Sequence, residues 1–461
     1  MALRLSVQVL GRAVATLFRE HDQYVLLYEG GVQERDFVSL TMPVRALPWV
    51  WPRDLHPFFR QNLPEGYLLS ILREVFGSAF DGTDLSLLAL VGGRGIGRVR
   101  VLPEGASAPD RSEPLDLAAL LHSDFNAAYF DDLVRRYARS AVSGVVPKFL
   151  APEEAEAVTG RATLHTPNYI VKGSSQHPYM ALNEHYTLRV LARLNKVPVA
   201  RTQLSDDGQT LLVERFDVDA HGVPTHGVED ACGLLGLPPH EKYVPSLEQV
   251  LKATAVYLPG ASRQRQLEHL GYHILANFVV RNADCHSKNI ALYYTSLDDV
   301  TYTPVYDLVT TQAHDGMRDS NPGLSIEGRK SWEPGKTLPK FFASRLGINT
   351  RQYREMLDEL CDAAVSTARE LVALSRENRA WQGIVQNMLW VWDHGIQAVR
   401  APSSTLSLGP LIREGGLGDY DRPAPAPRTG ESPLLGKRRS GPRVRRRKNV
   451  VSATQQVDED V

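Results

Sequence analysis

Hydrophobic residues recur along this chain with two different periods, and the change of period divides it into strand-rich and helical stretches. The first residues, "MALRLSVQVLGRAVATLFREHDQYVLLY", alternate apolar and polar positions, which predicts a strand meander that turns at Gly11. Between about 139 and 217, strand-like runs such as "NYIVKG" and "QTLLVERFDV" flank one helix, "ALNEHYTLRVLARLN". From about 229 to 400 the spacing is mainly helical, most clearly over 355–376 and 384–400. The pattern predicts an α+β protein with two lobes, an arrangement that suggests a nucleotide-binding enzyme.

Polar and glycine-rich segments indicate where these stretches begin and end. "ASAPDRSEPL" at 106–115 is a polar, proline-containing linker. We therefore predict a strand-rich subdomain over 1–105, a second strand-rich lobe over 116–228 and a helical lobe over 229–400. Within the first part, a helix is predicted to begin near Pro64 and Glu65, and "GGRGIGRVRV" at 92–101 is interpreted as a hairpin turn because its glycines do not match a nucleotide-binding spacing.

Charge is distributed unevenly along the chain. The formal net charge is −1, yet 437–448, "KRRSGPRVRRRK", carries eight basic and no acidic residues, which leaves 44 basic against 53 acidic residues elsewhere. Residues 401–461 are rich in Pro, Gly and Ser before this basic run, so we predict a mostly disordered basic tail. Such a tail is a candidate for nonspecific contact with nucleic acid. A solvated terminus explains it equally, and an arm folded onto the acidic body is a third, lesser alternative.

Composition sets the class of protein. A hydrophobic share of 43% with 23% charged residues is typical of a soluble globular protein, and no apolar span is long enough to predict a transmembrane helix. The three scattered cysteines form neither a disulfide framework nor a zinc motif. A reducing cytoplasm is therefore the expected location.

One stretch, "RNADCHSKNIALYY" at 281–294, concentrates polar residues between an apolar helical run and a short strand-like run. Asp284 is followed five positions later by Asn289 and, further along, by Asp307 at the end of "TYTPVYDL". Phosphoryl transfer needs a carboxylate to accept the proton of the attacking hydroxyl and oxygen ligands for Mg²⁺, and protein kinases supply both in this order. Asn282 and Asp284 would also suit an ordinary helix cap and turn.

Three further segments suit a bound nucleotide. Lys172 follows strand-like residues in "YIVKG", where it would contact phosphates, and Glu184 in the next helix would be its partner; a surface lysine and a solvated glutamate are the alternatives. "SAVSGVVPK" at 140–148 offers small residues whose backbone amides can approach phosphates. Residues 213–216 follow a strand and would form a hinge that faces the adenine edge.

Taken in order, these segments resemble the HipA family of bacterial serine/threonine kinases over roughly residues 1–400. The matching segments are "LHPFFRQNLPEG", "SGVVPK", "YIVKG", "NEHY", "VERFD", "EDACGLLGLPPHEKY", "NADCHSKNIAL", "PVYDL" and "LSIEGRKSW". The resemblance implies a two-lobed protein-kinase-like fold with an extra N-terminal strand-rich subdomain and a mainly helical C-terminal lobe. It also implies a toxin that uses ATP and Mg²⁺, is partnered by a small helix-turn-helix antitoxin, and phosphorylates a protein such as an aminoacyl-tRNA synthetase.

The resemblance also assigns roles to residues. It makes Asp284 the catalytic base and makes Asn289 and Asp307 the Mg²⁺ ligands. Residues that would contact the nucleotide are Ser143, Gly144, Val145, Val146, Pro147 and Lys148 in the phosphate loop, Lys172, the hinge residues Val213, Glu214, Arg215 and Phe216, and His286, Ser287, Lys288, Asn289, Tyr306 and Asp307.

This chain departs from the family pattern in the phosphate loop. The family often has Ser-x-Ser-Gly there, with autophosphorylation on the first serine, whereas this chain has Ala141-Val142-Ser143-Gly144. Ser143 is therefore the candidate autophosphorylation site, with Ser140 displaced by one position.

Two other functions remain open at this point. Small-molecule kinases of the choline and aminoglycoside type share the Asp-x₄-Asn spacing, and a noncatalytic, antitoxin-bound DNA corepressor would share the fold. The long stretch 312–336 favours a protein substrate, and the presence of Lys172, Asp284, Asn289 and Asp307 together argues against an inactive site.

Overall fold

The computed structural model describes residues 3–64, 82–106, 117–122, 162–174, 177–400 and 406–418, together with residues 69 and 74. Within these ranges the strands are β1 Arg4–Val9, β2 Arg12–Glu20, β3 Gln23–Tyr28, β4 Trp49–Pro52, β5 Val99–Pro103, β6 Ala162–His165, β7 Tyr169–Gly173, β8 Thr202–Leu204, β9 Thr210–Glu214, β10 Gly227–Asp230, β11 Ala291–Ser296 and β12 Asp299–Tyr302. The helices are α1 Pro57–Arg60, α2 Asp84–Val91, α3 Leu117–His122, α4 Met180–Ala192, α5 Ala231–Leu234, α6 Leu247–Ala255, α7 Arg263–Val280, α8 Thr337–Phe341, α9 Thr350–Glu377, α10 Gln382–Val399 and α11 Gly409–Glu414.

The N-terminal strands form a five-stranded antiparallel sheet in the order β4-β3-β2-β1-β5. The predicted turn is present between β1 and β2, where Leu10 and Gly11 both have positive φ (49° and 79°), the combination that a tight hairpin turn requires. The inward-facing residues of the sheet form their own core, in which Leu5, Val7 and Leu17 are fully buried. This part of the chain therefore has a hydrophobic centre of its own.

A four-stranded sheet, in the order β6-β7-β9-β8, and a three-stranded sheet, β10-β11-β12, follow. Helix α4 lies between β7 and β8 in the chain and is buried along most of its length. The strands β7 and β9 pair antiparallel, with Lys172 opposite Leu211. The predicted strand with Lys172 and the predicted helix with Glu184 are thus both present.

The remaining helices form the largest core. Helix α7 carries the predicted apolar run and buries fourteen residues along its length. The long helix α9 begins at a capping box formed by Asn349 and Gln352, in which each side chain accepts a hydrogen bond from the other residue's backbone N–H. Among the described helices, none is long and apolar enough to cross a membrane. The α+β architecture with a mainly helical C-terminal lobe agrees with the prediction.

One prediction made from the sequence is wrong, and the tail that was predicted to be mostly disordered contains an ordered helix. The segment 92–101 is not a hairpin turn, because Gly92–Arg94 continues from helix α2 as a 3₁₀ turn and leads into β5. The tail is not wholly disordered, because 406–418 includes α11, whose Ile412 is fully buried against the helical core. The sequence did not predict this helix because its few apolar residues lie in a stretch whose overall composition is polar. Pro64 is the last residue described before a gap, so the predicted helix that begins there lies outside the described residues. The basic run 437–448 also lies outside them.

A buried arginine connects the N-terminal sheet to the second half of the chain. The guanidinium of Arg98 donates to the backbone oxygens of Thr295 (2.8 Å) and Phe37 (2.9 Å). Its Cζ atom lies 4.3 Å from the ring centre of Phe37 and 5.1 Å from that of Tyr294, and these two rings stack on each other. Arg98 is only 2% exposed, so this contact belongs to the interior of the protein.

A buried glutamate in the second half of the chain also bonds to the N-terminal part. The carboxylate of Glu229, in β10, accepts hydrogen bonds from Ser39 Oγ (2.8 Å), the Leu40 backbone N–H (2.6 Å) and Tyr294 Oη (2.6 Å). Burial is the main effect on this carboxyl and raises its pKa to about 7, against the lowering effect of the hydrogen bonds.

Candidate functional site

The centre of the candidate site is a lysine held between two carboxylates. Lys172 Nζ donates to Glu184 Oε1 at 2.7 Å and to Asp307 Oδ1 at 2.8 Å. Glu184 is almost fully buried, whereas the side chain of Asp307 is 22% exposed. Strand β7, helix α4 and the segment after β12 therefore meet here, and the ion pair predicted between Lys172 and Glu184 is present.

Asp307 adopts a backbone conformation that is uncommon for a residue with a side chain. Its φ is +55°, in the left-handed region. Asn282 Nδ2 donates to the backbone oxygen of Asp307 (3.4 Å), which links this residue to the polar loop after α7. A strained backbone held by neighbouring contacts is frequent at functional sites.

The polar loop begins where helix α7 ends. Arg281 caps the helix in the left-handed conformation (φ 52°) and turns the chain into residues 282–290. Asn282 Oδ1 accepts the backbone N–H of Asp284 (3.1 Å), and Asn289 Nδ2 donates to the backbone oxygen of Asp284 (3.0 Å). The side chains of Asn282 and Asn289 thus fix the backbone around Asp284.

The carboxylate of Asp284 faces two aromatic side chains. Tyr243 Oη donates a hydrogen bond to Oδ1 of Asp284, and His286 Nε2 lies 4.0 Å from the same oxygen. The Asp284 side chain is 36% exposed, which leaves it accessible to a substrate hydroxyl. The adjacent thiol of Cys285 is fully buried, and burial followed by the charges of Asp284 and Asp307 raises its pKa to about 12. Cys285 is therefore a protonated packing residue rather than a nucleophile.

Three other residues expected to contact the nucleotide have contacts within the protein. The Ser287 backbone N–H and Oγ both donate to the backbone oxygen of Lys242, at 3.1 and 2.9 Å. Tyr306 Oη donates to the backbone oxygen of Lys288 at 2.7 Å. These bonds fix the shape of the loop, and the expectation that Ser287, Lys288 and Tyr306 also contact a nucleotide stays a prediction.

The predicted hinge, 213–216, consists of the last two residues of β9 and the two residues after it. The backbone N–H groups of Glu214 and Arg215 donate to the backbone oxygens of Arg201 and Asn168, each at 2.8 Å. The guanidinium of Arg215 is buried and donates to both oxygens of Asp217 at 3.0 and 2.5 Å.

The ring of Phe216 lies 5.9 Å from that of Tyr306, centre to centre. Val213 is buried within the sheet. The rings of Phe216 and Tyr306 therefore pack against each other. Arg215 instead stabilises the junction with the segment before β5 through Asp217, which accepts the Gly97 backbone N–H (2.7 Å).

The phosphate loop predicted from the sequence, Ser143 to Lys148, lies outside the described residues. Its contact with a nucleotide and the autophosphorylation of Ser143 remain predictions.

The donors proposed for a metal fit a hard cation. Asn289 uses its amide nitrogen to hold Asp284, so its amide oxygen is the atom suited to ligation. Together with the Asp307 carboxylate it supplies the oxygen ligands that Mg²⁺ prefers, with waters and nucleotide phosphates completing the shell.

Sequence reasoning missed the segment that packs against the back of the loop. Gly323 approaches so closely that a Cβ atom there would lie 2.3 Å from the backbone oxygen of Cys285. Lys330 Nζ donates to the backbone oxygens of Gly323 (2.6 Å) and Tyr243 (3.1 Å). Both Tyr243 and Lys330 lie in segments singled out by pattern, "HEKY" and "GRKSW", yet no spacing rule links positions so far apart.

Comparison with known proteins finds HipA domains in both the N-terminal and the C-terminal part of the chain. Residues 5–102 match the HipA N-terminal domain, and residues 140–368 match the HipA-like C-terminal domain. A protein of Sinorhizobium fredii (strain NBRC 101917 / NGR234) named "Putative kinase Y4mE" is 30% identical over 363 residues, which cover 72% of this chain and 83% of that protein. A "Putative kinase" of Haemophilus influenzae is 26% identical over 227 residues, 45% of this chain and 63% of that protein.

A solved structure has the same fold. It is the Shewanella oneidensis MR-1 toxin–antitoxin complex of HipA, HipB and operator DNA. One of its chains superposes with a TM-score of 0.65 at 19% identity, over 86% of this chain and all of that chain. The two-lobed, kinase-like fold with its additional N-terminal sheet is thereby confirmed. Two matched domains, a relative with 30% identity over most of its length and a shared fold together show that this chain belongs to the HipA family.

Proposed function

We propose that this protein is an ATP- and Mg²⁺-dependent serine/threonine protein kinase that acts as the toxin of a toxin–antitoxin system. The observation that carries the proposal is the position of Lys172 between Glu184 and Asp307, close to a loop with Asp284 and Asn289. A cation anchored to a buried glutamate can hold nucleotide phosphates, while an exposed carboxylate accepts a proton nearby. The relatives named as kinases support the same reaction.

In the proposed reaction each residue has one task. Lys172 contacts the phosphates of ATP, and Asp307 with Asn289 would hold Mg²⁺, which neutralises charge on those phosphates. Asp284 accepts the proton of a serine or threonine hydroxyl as its oxygen forms a bond to the γ-phosphorus and the bond from that phosphorus to the β–γ bridging oxygen breaks. ADP leaves and the substrate becomes a phosphate ester.

We further propose the partners that the family suggests. The substrate would be a translation component such as an aminoacyl-tRNA synthetase, in the bacterial cytoplasm where ATP and that machinery are found. The regulator would be a small helix-turn-helix antitoxin, by analogy with the solved complex of HipA with HipB and operator DNA. Growth arrest on expression of the chain, relieved by co-expression of such a protein, would support this partnership.

The experiment that tests the reaction uses ATP labelled at the γ-phosphate. The protein is incubated with labelled ATP, Mg²⁺ and a bacterial lysate, and both proteins and metabolites are separated. We expect label on a protein, on serine or threonine, which disappears in Asp284→Asn and persists in Asp299→Asn, an exposed aspartate in β12. Label on a metabolite would instead indicate a small-molecule kinase. No label in either fraction would favour a noncatalytic corepressor.

A further inference from the structure

Tyr243 lies 41 residues before the proposed catalytic base and outside the loop that carries it, yet its side chain contacts that base directly. Its hydroxyl donates to Oδ1 of Asp284. Its ring packs against His286 with the ring centres 5.0 Å apart and the planes nearly perpendicular. The first contact is with the proposed base itself, and the second is with His286, one of the residues that the resemblance assigns to the nucleotide.

The phenol of Tyr243 keeps its proton under the conditions in which a kinase works. Burial is the largest effect, and the charge of Asp284 and the hydrogen bond to it act in the same direction, so the pKa of Tyr243 lies well above its usual value. The group is consequently a donor to the carboxylate and does not compete with it for a proton.

The backbone that carries Tyr243 is fixed from two directions. Lys330 Nζ donates to the backbone oxygens of Tyr243 (3.1 Å) and Gly323 (2.6 Å), so the segment after Asp307 supports it on one side. On the other side, the backbone oxygen of Lys242 accepts both donors of Ser287, at 3.1 and 2.9 Å. A hydroxyl on such a support has little freedom to move away from the carboxylate.

We infer that Tyr243 is a positioning residue for phosphoryl transfer: it occupies one oxygen of Asp284 and thereby directs the other oxygen toward the substrate hydroxyl. The inference rests on the proposed kinase function. Asn282 and Asn289 hold the backbone of Asp284, whereas Tyr243 bonds to its carboxylate. This bond restrains rotation of the carboxylate, and groups that accept protons work efficiently only when held in the reactive geometry.

The test is Tyr243→Phe, which keeps the ring contact with His286 and removes only the hydroxyl. We expect kcat to fall about tenfold while KM for ATP changes by less than about twofold, because geometry at the reacting oxygen is lost and nucleotide binding is not. The matched control is Tyr272→Phe in α7, whose hydroxyl donates to Glu359 Oε2 at 2.6 Å and not to Asp284. The control should lose stability and keep kcat.

A second measurement reports the contact without relying on activity. Unfolding free energies of the wild type, Tyr243→Phe, Asp284→Ala and the double variant form a cycle in which the Phe substitution should cost stability only when Asp284 is present. If the wild type is active and Tyr243→Phe leaves kcat unchanged, or changes kcat and KM for ATP together, the inference is overturned. A cycle without coupling would overturn it as well. A wild type that transfers no phosphate would overturn the proposed function, and with it the role of Asp284 that Tyr243 serves.

Discussion

Oδ1 of Asp307 lies 2.8 Å from Nζ of Lys172, although 135 residues separate the two in the chain. The same ammonium group is bonded to the buried Glu184. One cation therefore compensates two carboxylates, and the one that is proposed to bind Mg²⁺ is the more exposed of the two. A metal ion and ATP would enter a site whose charges are already arranged.

Lys172→Met should destroy activity and also weaken the fold. Phosphate transfer should fall by at least about 100-fold, because a preorganised cation facing the phosphates is lost. The free energy of unfolding should fall by about 3 kcal/mol, since Glu184 becomes a buried charge without its main partner. Steady-state kinetics and urea unfolding measure the two effects.

The double variant Lys172→Met with Glu184→Gln separates these effects. A neutral amide removes the buried charge, so part of the stability should return while activity stays absent. If the double variant were no more stable than Lys172→Met alone, the charge on Glu184 would not be the cause of the instability.

Asp307→Asn should weaken ATP binding only when Mg²⁺ is present. The affinity should fall by about tenfold or more, because the one charged ligand of the proposed pair becomes neutral. Calorimetric titration with ATP in Mg²⁺ and again in EDTA checks this. An equal loss of affinity in both buffers would contradict the assignment of Asp307 to the metal.

Ser143 should be phosphorylated when the protein is incubated with Mg²⁺ and ATP. Phosphate adds close to two negative charges beside the phosphates of the nucleotide, so the modified protein should bind ATP more weakly. Mass spectrometry of the peptide covering 139–148 identifies the site, with Asp284→Asn as the inactive control. Phosphate on Ser140, or none in this peptide of the active protein, would rule out Ser143.

Glu229 predicts how stability depends on pH. Its pKa is about 7 in the folded protein, above the 4.5 of an ordinary glutamate, so the folded state keeps a proton that the unfolded state releases between these values. The free energy of unfolding should therefore decrease as the pH rises from about 4.5 to about 7, by roughly 3 kcal/mol from this group. Urea unfolding at several pH values measures the slope, and Glu229→Gln should flatten it. An identical slope in both proteins would show that Glu229 does not titrate in this range.

The sequence predicted the elements of the site better than the contacts that hold it together. Lys172 and Asp284 were recognised because strand character and the Asp-x₄-Asn spacing are local patterns. The hydrogen bond from Tyr243 to Asp284 and the support from Lys330 depend on tertiary packing, which the periodicity of hydrophobic residues does not predict. Helix α11 was missed for a different reason: its few apolar residues lie in a region whose composition indicates disorder, and only packing against α9 and α10 makes the helix stable.

The basic run 437–448 should bind nucleic acid through charge alone. If about six phosphates are contacted, the logarithm of affinity for duplex DNA should fall with the logarithm of salt concentration with a slope of about −5. Deleting 430–461 should flatten this slope and leave ATP turnover unchanged. Deleting only 449–461 keeps the basic run and is the matched control. An unchanged slope would identify the tail as a solvated terminus, and a rise in kinase activity would indicate an arm folded onto the acidic body.

The contacts of Arg98 and Glu229 also determine when, during synthesis of the chain, the N-terminal sheet can attach to the rest of the protein. Ser39 and Leu40 leave the ribosome long before the carboxylate that accepts their hydrogen bonds, and Arg98 is made almost 200 residues before its acceptor at Thr295. The N-terminal sheet can fold early on its own core, but its attachment to the rest of the protein waits for β10 and β11. Asp307 is translated only after both. A chain interrupted by a premature stop or by ribosome stalling before that point would contain the sheet without a complete catalytic site, so a cell that makes such fragments would be spared the activity proposed for the whole protein.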